Sequence, residues 1–416
     1  MPSRGSRKVS TMANTNKQVK PASRGAFSNG AVHGAPRLRR RLAGLLLVLA
    51  GFTLSSASAC AQSVGTNAAA SSPAADARKQ ADAWYENYRF RDGEVLPKLR
   101  LHYVTLGTPH RGADGEIDNA VLMLHWTNAS GGALLTPEYV HALYDRGRPL
   151  DASRYFLIVP DNVGHGLSSK PSDGLKTKFP NYGYADIVDL QHKLVTETLD
   201  IKHLHAIVGV SMGGMNAWQW AEAYPDAVGG IMPVVAFPTK VSGRNLLWRR
   251  MVVKTIESDP DWNGGNYTKQ PRSLTQGYGV LRLMIDGVPH FQAAIPDEAA
   301  ADKFVDSIER QAESLDTNDL LYSVKSSLDY DPEPDLAKIK TKVYALNFDD
   351  DEFNPARLHI LENLIKRLPD AHYAIQAGSE KSYGHLTMAF PSLWADHVAA
   401  FTRLLGDDNT SAKAKD

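Results

Sequence analysis

Reactive chemistry is first legible at Gly209-Val-Ser211-Met-Gly213, where a serine stands between two glycines. An apolar run of strand type, His205-Ala-Ile-Val, enters this stretch, and a helix-forming run, Gly214-Met-Asn-Ala-Trp-Gln-Trp220, leaves it. Strand, sharp turn and helix are the setting in which G-x-S-x-G forms a nucleophile elbow. Such a turn holds Ser211 at strained dihedrals, so Gly209 and Gly213 must lack side chains that would collide with the turning backbone. The serine hydroxyl then projects from the sheet at the positive end of the following helix. The N–H of Met212 points to where an oxyanion would form. By composition alone the motif arises in about one chain in ten of this length. Its meaning therefore rests on its partners.

A serine hydroxyl is a poor nucleophile until a base takes its proton, and that base needs an acid to orient it. With an elbow serine the partners follow in the order serine, acid, histidine. Downstream, Asn347-Phe-Asp349-Asp350-Asp351-Glu-Phe-Asn-Pro355 follows one apolar run, and Ser382-Tyr-Gly384-His385-Leu-Thr follows the last one. Both loops lie beyond the carboxyl ends of expected strands, where sites of open α/β sheets gather. His385 is the expected base. Asp351 is the expected acid, standing four residues before Pro355, a spacing familiar in folds with this elbow; Asp350 is second and Asp349 third. The second oxyanion N–H is expected from the loop after Ala120–His125, on Thr127, with Trp126 next. His165 is expected to be structural, because His385 already fills the role of base. No pair of the other histidines has convincing metal-ligand spacing, so neither metal nor cofactor is expected.

The elements that would position these residues alternate. Ala120–His125, Tyr155–Val159, Ile207–Val210 and Gly229–Val235 are continuous apolar runs, the mark of strands buried on both faces. Asp186–Leu199 carries a helical apolar face. Earlier, Asp76–Asn87 reads as a short helix, and Tyr88–Phe90 and Lys98–Leu106 flank Asp92-Gly93 as antiparallel strands. Residues 76–236 thus read as the first part of an α/β core, a mostly parallel sheet flanked by helices. From 237 to 332 helical stretches (244–258, 298–315, 319–328) replace the strands, which predicts a helical cap inserted before the acid-bearing strand. Its aromatics Trp248, Trp262, Tyr278, Phe291 and Tyr322, with Trp126 of the core, are candidates to line a substrate pocket. Residues 333–405 complete the core with strands at Val343–Leu346 and Ala371–Ile375, a helix from Asn354-Pro355 to Leu368, and a closing helix over Ser392–Leu405. The polar tail 406–416 is expected to be disordered.

The 416 residues carry 46 basic and 46 acidic side chains, but the balance hides an asymmetry. Residues 1–61 hold ten Lys or Arg and no acid, so the remainder has a formal charge of −10, which argues against nucleic acid as a partner. Arg37-Leu-Arg-Arg-Arg41, the Leu-rich run 42–54 and Ala59-Cys60-Ala61 read as the three regions of a signal peptide over 1–61, with cleavage before Gln62. The apolar run is too short for a stable membrane span. A periplasmic or secreted protein is expected, led by a flexible linker at 62–75. Cys60 is the sole cysteine, removed by cleavage or else lipidated; removal leaves no thiol for disulfides, metal ligation or nucleophilic attack.

The block Gly209–Tyr224 with Pro225-Asp226 resembles the α/β-hydrolase branch that contains homoserine O-acetyltransferase, whose elbow reads G-G-S-M-G-G-M-Q before a Trp-containing helix. Tyr103-Val-Thr-Leu-Gly107, Leu150-Asp151 and Arg154-Tyr155-Phe156 extend the likeness over residues 85–405. The resemblance implies the α/β-hydrolase fold, a Ser211–Asp351–His385 triad and a homodimer. Three departures bear on activity. The family's G-H-D, whose Asp is thought to engage the amino-acid substrate, is Gly384-His385-Leu386 here. Its H-A-L-T-G stretch is His125-Trp-Thr-Asn-Ala129, and its G-S-T-G-P loop is Gly164-His-Gly-Leu-Ser-Ser169. A serine hydrolase of a small carboxylic ester, lactone or amide is therefore expected, with an acyl-CoA-dependent O-acyltransferase as the alternative.

Overall fold

Ala120–Leu124 has no polar position, and in the computed structural model, which describes residues 78–407, all five side chains are buried. Alternate residues enter opposite cores. Leu122 and Leu124 pack in the cluster of Ile158, Ile187 and Trp218, whereas Val121 and Met123 join Val159, Val208 and Phe401. Two helical layers therefore cover one sheet, as strands buried on both faces require.

The strands are β1 (Lys79–Arg89), β2 (Val95–Leu106), β3 (Ala120–Leu124), β4 (Phe156–Pro160), β5 (Leu204–Val210), β6 (Val228–Val234), β7 (Lys342–Phe348) and β8 (Ala371–Gln376). Their order in the sheet is β1-β2-β4-β3-β5-β6-β7-β8. The β1–β2 and β2–β4 pairs are antiparallel, and every other neighbouring pair is parallel. Because β4 lies outside β3, the chain leaves β3 in one direction and returns to β5 in the other. That reversal opens a crevice at the carboxyl ends of β3 and β5.

Helix α1 (Tyr184–Lys193) continues through a π turn at Leu194–Thr198, and α2 (Met212–Ala223) leaves β5 through Ser211. Between β6 and β7 come α3 (Gly243–Glu257), α4 (Arg272–Ile285), α5 (Val288–Ala294), α6 (Glu298–Ala312) and α7 (Thr317–Lys325). Trp248, Leu281 and Leu321 of these helices share one buried cluster with Val208, Val234 and Phe348 of the sheet. Helices α4 and α5 are not evident in the sequence. Gly277 and Gly279 dilute the pattern of α4, yet a Cβ on Gly277 would stand 3.3 Å from Val252, so the small residue lets α4 approach α3 closely.

Three local expectations are corrected. The short helix at 76–87 is strand over its described part: β1 pairs with β2 from Lys79↔Thr105 to Arg89↔Val95, and this long ladder overrides a helix-prone composition. The helix expected from Asn354-Pro355 is broken into a 3₁₀ turn at Ala356–Leu358, a left-handed His359, α8 (Ile360–Leu364) and a second 3₁₀ turn. Asn354 does not cap it, since its amide is turned inward. The tail begins anchored: Gly406 closes α9 (Ala395–Leu405) with φ 98°, and the Asp407 carboxylate accepts from Tyr155 Oη and His205 Nε2, each at 2.8 Å. The expected signal peptide 1–61, linker 62–75 and remainder of the tail lie outside the described residues. Among the described residues no helix is long and apolar enough to cross a membrane.

Candidate active site

The elbow is built by close backbone approach. A Cβ on Gly209 would lie 2.1 Å from Gly213 O, and one on Gly213 would lie 2.2 Å from Leu124 O, so only glycine lets α2 leave β5 this tightly. Ser211 adopts φ 53°, ψ −114°, a strained conformation secured by its N–H donating to Val234 O at 2.9 Å. The same turn sets Ser211 Oγ 2.8 Å from His385 Nε2. Across the ring, His385 Nδ1 lies 2.8 Å from Asp351 Oδ2, with both side chains almost wholly buried. An ionised carboxylate only accepts, so Nδ1 carries the ring proton and Nε2 is left to accept from the serine hydroxyl.

The three consecutive aspartates have three different tasks. Asp351 Oδ1 accepts the N–H groups of Phe353 (2.7 Å) and Asn354 (3.1 Å), and Oδ2 also accepts from Asn354 Nδ2 at 3.0 Å. Asp350 Oδ2 accepts from Ser382 Oγ (2.7 Å) and Gly384 N–H (3.1 Å), so it pins the loop that carries His385 without touching the ring. Asp349 accepts from Gly378 N–H and ties that loop's other end. Asn354 is the residue that sequence reasoning misassigns. Its Nδ2 bridges Asp351 and Val235 O (2.8 Å), and Val235 itself sits at φ 49°, unusual for a β-branched residue. The only signal in the sequence is an Asn inside an acidic loop, which reads equally well as a cap.

Met212 opens α2, and the first N–H groups of a helix have no acceptor within it. Thr127 lies on a tight turn after β3, closed by Ala129 N–H donating to Trp126 O at 3.1 Å, with Asn128 at φ 59°. A turn closed in this way leaves the Thr127 and Asn128 N–H groups outside its own hydrogen bond. Two residues fix it. His125 Nδ1 donates to Trp126 O (2.9 Å) while its Nε2 accepts from Asn162 N–H (3.2 Å), and Asp161 Oδ1 holds Gly131 N–H at 2.6 Å. Burial depresses the His125 pKa to about 4 against the lesser effect of its backbone bond, so the ring is neutral near pH 7. His165 is lowered to about 3, again chiefly by burial, and links Val163 O to Ser323 of α7.

The expected pocket residues separate. Trp248 stacks on Phe353 (centroids 5.5 Å, planes 17° apart), and Phe353 lies 4.6 Å from the His385 ring, so α3 supports the base through one intervening ring. Trp126 is half-buried beside the turn of Thr127. Tyr322 instead packs against Phe179 and Tyr182 and donates to Phe179 O at 2.8 Å, tying α7 to the loop before α1. Among the described residues no cluster of three or more His, Cys, Asp or Glu side chains is arranged to hold a metal ion.

Residues 137–375, more than half of the chain, match the family model described as alpha/beta hydrolase fold, and the chain belongs to that family. Within it the chain belongs to the homoserine O-acetyltransferase-like branch. It is 30% identical over 323 residues to a homoserine O-succinyltransferase of Magnetococcus marinus, covering 66% of this chain and 80% of that one. A homoserine O-acetyltransferase from Bacillus anthracis superposes with TM-score 0.69 at 22% identity, over 80% of this chain and 99% of that one. An acetylester hydrolase from Corynebacterium glutamicum gives TM-score 0.68 at 23% identity, over 79% and 96%. The protein is thus an enzyme of the α/β-hydrolase superfamily, of esterase or acyltransferase type.

Proposed function

We propose that the protein is an exported serine hydrolase that cleaves a carboxylic ester through an acyl-enzyme on Ser211. The observation that carries the acyl-enzyme is the unbroken chain Ser211 Oγ–His385–Asp351, with both links at 2.8 Å. His385 Nε2 takes the hydroxyl proton as Ser211 Oγ attacks the ester carbonyl. The carbonyl oxygen becomes an oxyanion facing the N–H groups of Met212 and Thr127, while Asp351 stabilises the imidazolium. Collapse expels the alkoxide, which receives the proton from His385. A water then gives its proton to His385 and attacks the acyl carbon, releasing the acid and restoring Ser211.

Acyl transfer to an alcohol uses the same first half, and the Magnetococcus marinus relative, named a homoserine O-succinyltransferase, favours it as the second reading. Against it stands position 386, where an amino-acid acceptor is thought to meet an aspartate in the transferases. Here Leu386 packs against the core. Export would also separate the enzyme from cytosolic acyl-CoA, whereas water is present everywhere. The test is a panel of p-nitrophenyl esters with the chain from Gln62, Ser211→Ala as control and an alcohol added in parallel. Release abolished in Ser211→Ala and indifferent to the alcohol supports hydrolysis. Release that is slow alone but accelerated by the alcohol, with the alkyl ester as product, supports transfer. The amino terminus of the protein recovered from the expressing cell, read by mass spectrometry, tests cleavage before Gln62.

A further inference from the structure

No side chain of α5 is fully buried, so the place of this helix in the cap depends on what holds its first turn. On one side Phe291 meets Phe304 of α6 edge to face, with centroids 5.1 Å apart. On the other side lies the loop that carries His385. At the corner between α4 and α5, Asp286 is only 6% exposed. Its Oδ1 accepts from the Gly287 N–H and from His290 Nδ1, each at 2.8 Å. A carboxylate buried to this degree has to be satisfied by such donors, so Asp286 fixes the Gly287 backbone and the His290 ring together.

Gly287 and Gly384 meet backbone to backbone. A Cβ on Gly287 would stand 2.8 Å from Gly384 N and 3.0 Å from Asp350 Oδ2, and one on Gly384 would stand 2.6 Å from Gly287 N. Gly384 has φ 58°, the left-handed turn from which the chain enters His385. Asp350 holds the Gly384 N–H at 3.1 Å, so this turn is clamped between a core carboxylate and the cap backbone. One residue earlier, the Tyr383 ring stacks on Phe390 and meets the His290 ring at 4.5 Å, with planes 61° apart. Cap residues thus contact both residues that precede the base.

We infer that Asp286, Gly287 and His290 form a latch by which the cap positions His385 to take the Ser211 proton. The inference rests on the acyl-enzyme reading and adds to it that the base is aligned only while the cap sits on its loop. Gly287 backs Gly384, His290 backs Tyr383, and Asp286 holds the two in register. Asp286 and His290 are positioning residues, because they act through Tyr383 and Gly384 rather than on the reacting atoms. The 2.8 Å between Ser211 Oγ and His385 Nε2 is sensitive to such support, since a misplacement of about 1 Å can cost about 100-fold in rate.

Gly287 has φ −79° and ψ 143°, which alanine adopts without strain, so Gly287→Ala adds only a methyl pressed on Gly384. His290→Phe keeps a ring beside Tyr383 and deletes the donor to Asp286, whereas His290→Asn returns a donor. On the best ester of the panel, Gly287→Ala and His290→Phe should each lower kcat about tenfold or more, with KM changed less than about threefold. His290→Asn should recover part of that loss. Val288→Ala, on the same turn but at a position 64% exposed, is the control and should match the wild type. A second readout needs His385 but no turnover: the rate at which a fluorophosphonate labels Ser211 should fall in parallel with kcat. Should Gly287→Ala not fold, the two His290 variants decide. Wild-type kcat and labelling in folded His290→Phe, a loss expressed in KM alone, or an equal loss in Val288→Ala overturns the inference. Failure of the hydrolase reading has a different signature, in which no ester of the panel is cleaved in a Ser211-dependent way. In that event the labelling rate alone decides the latch.

Discussion

Replacing Asp351 by asparagine tests the proposed mechanism at its most constrained point. Oδ1 of Asp351 accepts two backbone N–H groups, from Phe353 and Asn354. An asparagine in its place must keep its own oxygen there, which turns its Nδ2 toward His385 Nδ1. A donor at that position makes Nδ1 the acceptor and moves the ring proton to Nε2, where it faces Ser211 Oγ. The imidazole can then no longer take the serine proton. In the serine-protease template the same tautomer swap lowers kcat by about 10⁴, or about 5 kcal/mol of barrier. The new amide also opposes the donor Asn354 Nδ2, which now stands 3.0 Å from Oδ2, so a stability loss of about 1–3 kcal/mol accompanies it. Asp350→Asn is the discriminating control, because Asp350 holds Ser382 and Gly384 and never meets the ring. It should cost about tenfold or less in kcat, by loosening the His385 loop. The assay is kcat/KM on the best ester of the panel, with circular dichroism to confirm folding. Asp351→Asn retaining a tenth or more of wild-type activity, or Asp350→Asn proving the more damaging, would refute the assignment of the acid.

Four further outcomes are expected. Thr127→Pro places proline at a turn position that tolerates it while deleting one oxyanion N–H, so kcat should fall 10²–10³-fold, about 2.7–4 kcal/mol, with Tm little changed; an unchanged kcat assigns the donor elsewhere. Gly213→Ala drives a methyl to within 2.2 Å of Leu124 O, and soluble, active protein from this variant would contradict the elbow geometry. His125 and His165 have folded pKa values of about 4 and 3, below the ordinary 6.5. The unfolded chain therefore binds more protons, and their stabilisation is complete above about pH 6.5 and lost as pH falls toward 4 and then 3. Tm should drop over that range, and His125→Gln should flatten the drop. Trp248→Ala removes the ring behind Phe353, with an expected cost of about 3–5 kcal/mol in unfolding free energy and a lower kcat; denaturant titration measures the first.

Much of this geometry is legible in the order of residues because the sheet imposes it. A run such as Ala120–Leu124 can only be a strand buried on both faces, and successive parallel strands place Ser211, Asp351 and His385 in loops at one edge. What stays illegible is decided by partners distant in sequence. β1 is a strand because β2 offers it a ladder, whatever its own propensities. Asn354 faces inward because Asp351 and Val235 O lie there to be satisfied, a fact that no local pattern encodes. The burial of Arg249 is hidden for the same reason. In sequence Arg249 is one of two adjacent arginines on a helix, and only the packing of α3 buries it.

The choice between water and alcohol as acceptor turns on what lies beside the triad. The Ser211–His385–Asp351 geometry serves both, since His385 can deprotonate either nucleophile. Selectivity must come from what holds the acceptor beside the acyl-enzyme. A transferase has to bind its alcohol well enough to outcompete bulk water, which needs fixed polar contacts to the acceptor's own charged groups. At position 386, where such a contact is thought to lie in the transferases, this chain has a leucine packed on the core. The product is therefore expected to be free acid whatever the concentration of added alcohol, and an alkyl ester whose yield rises and saturates with the alcohol would refute this.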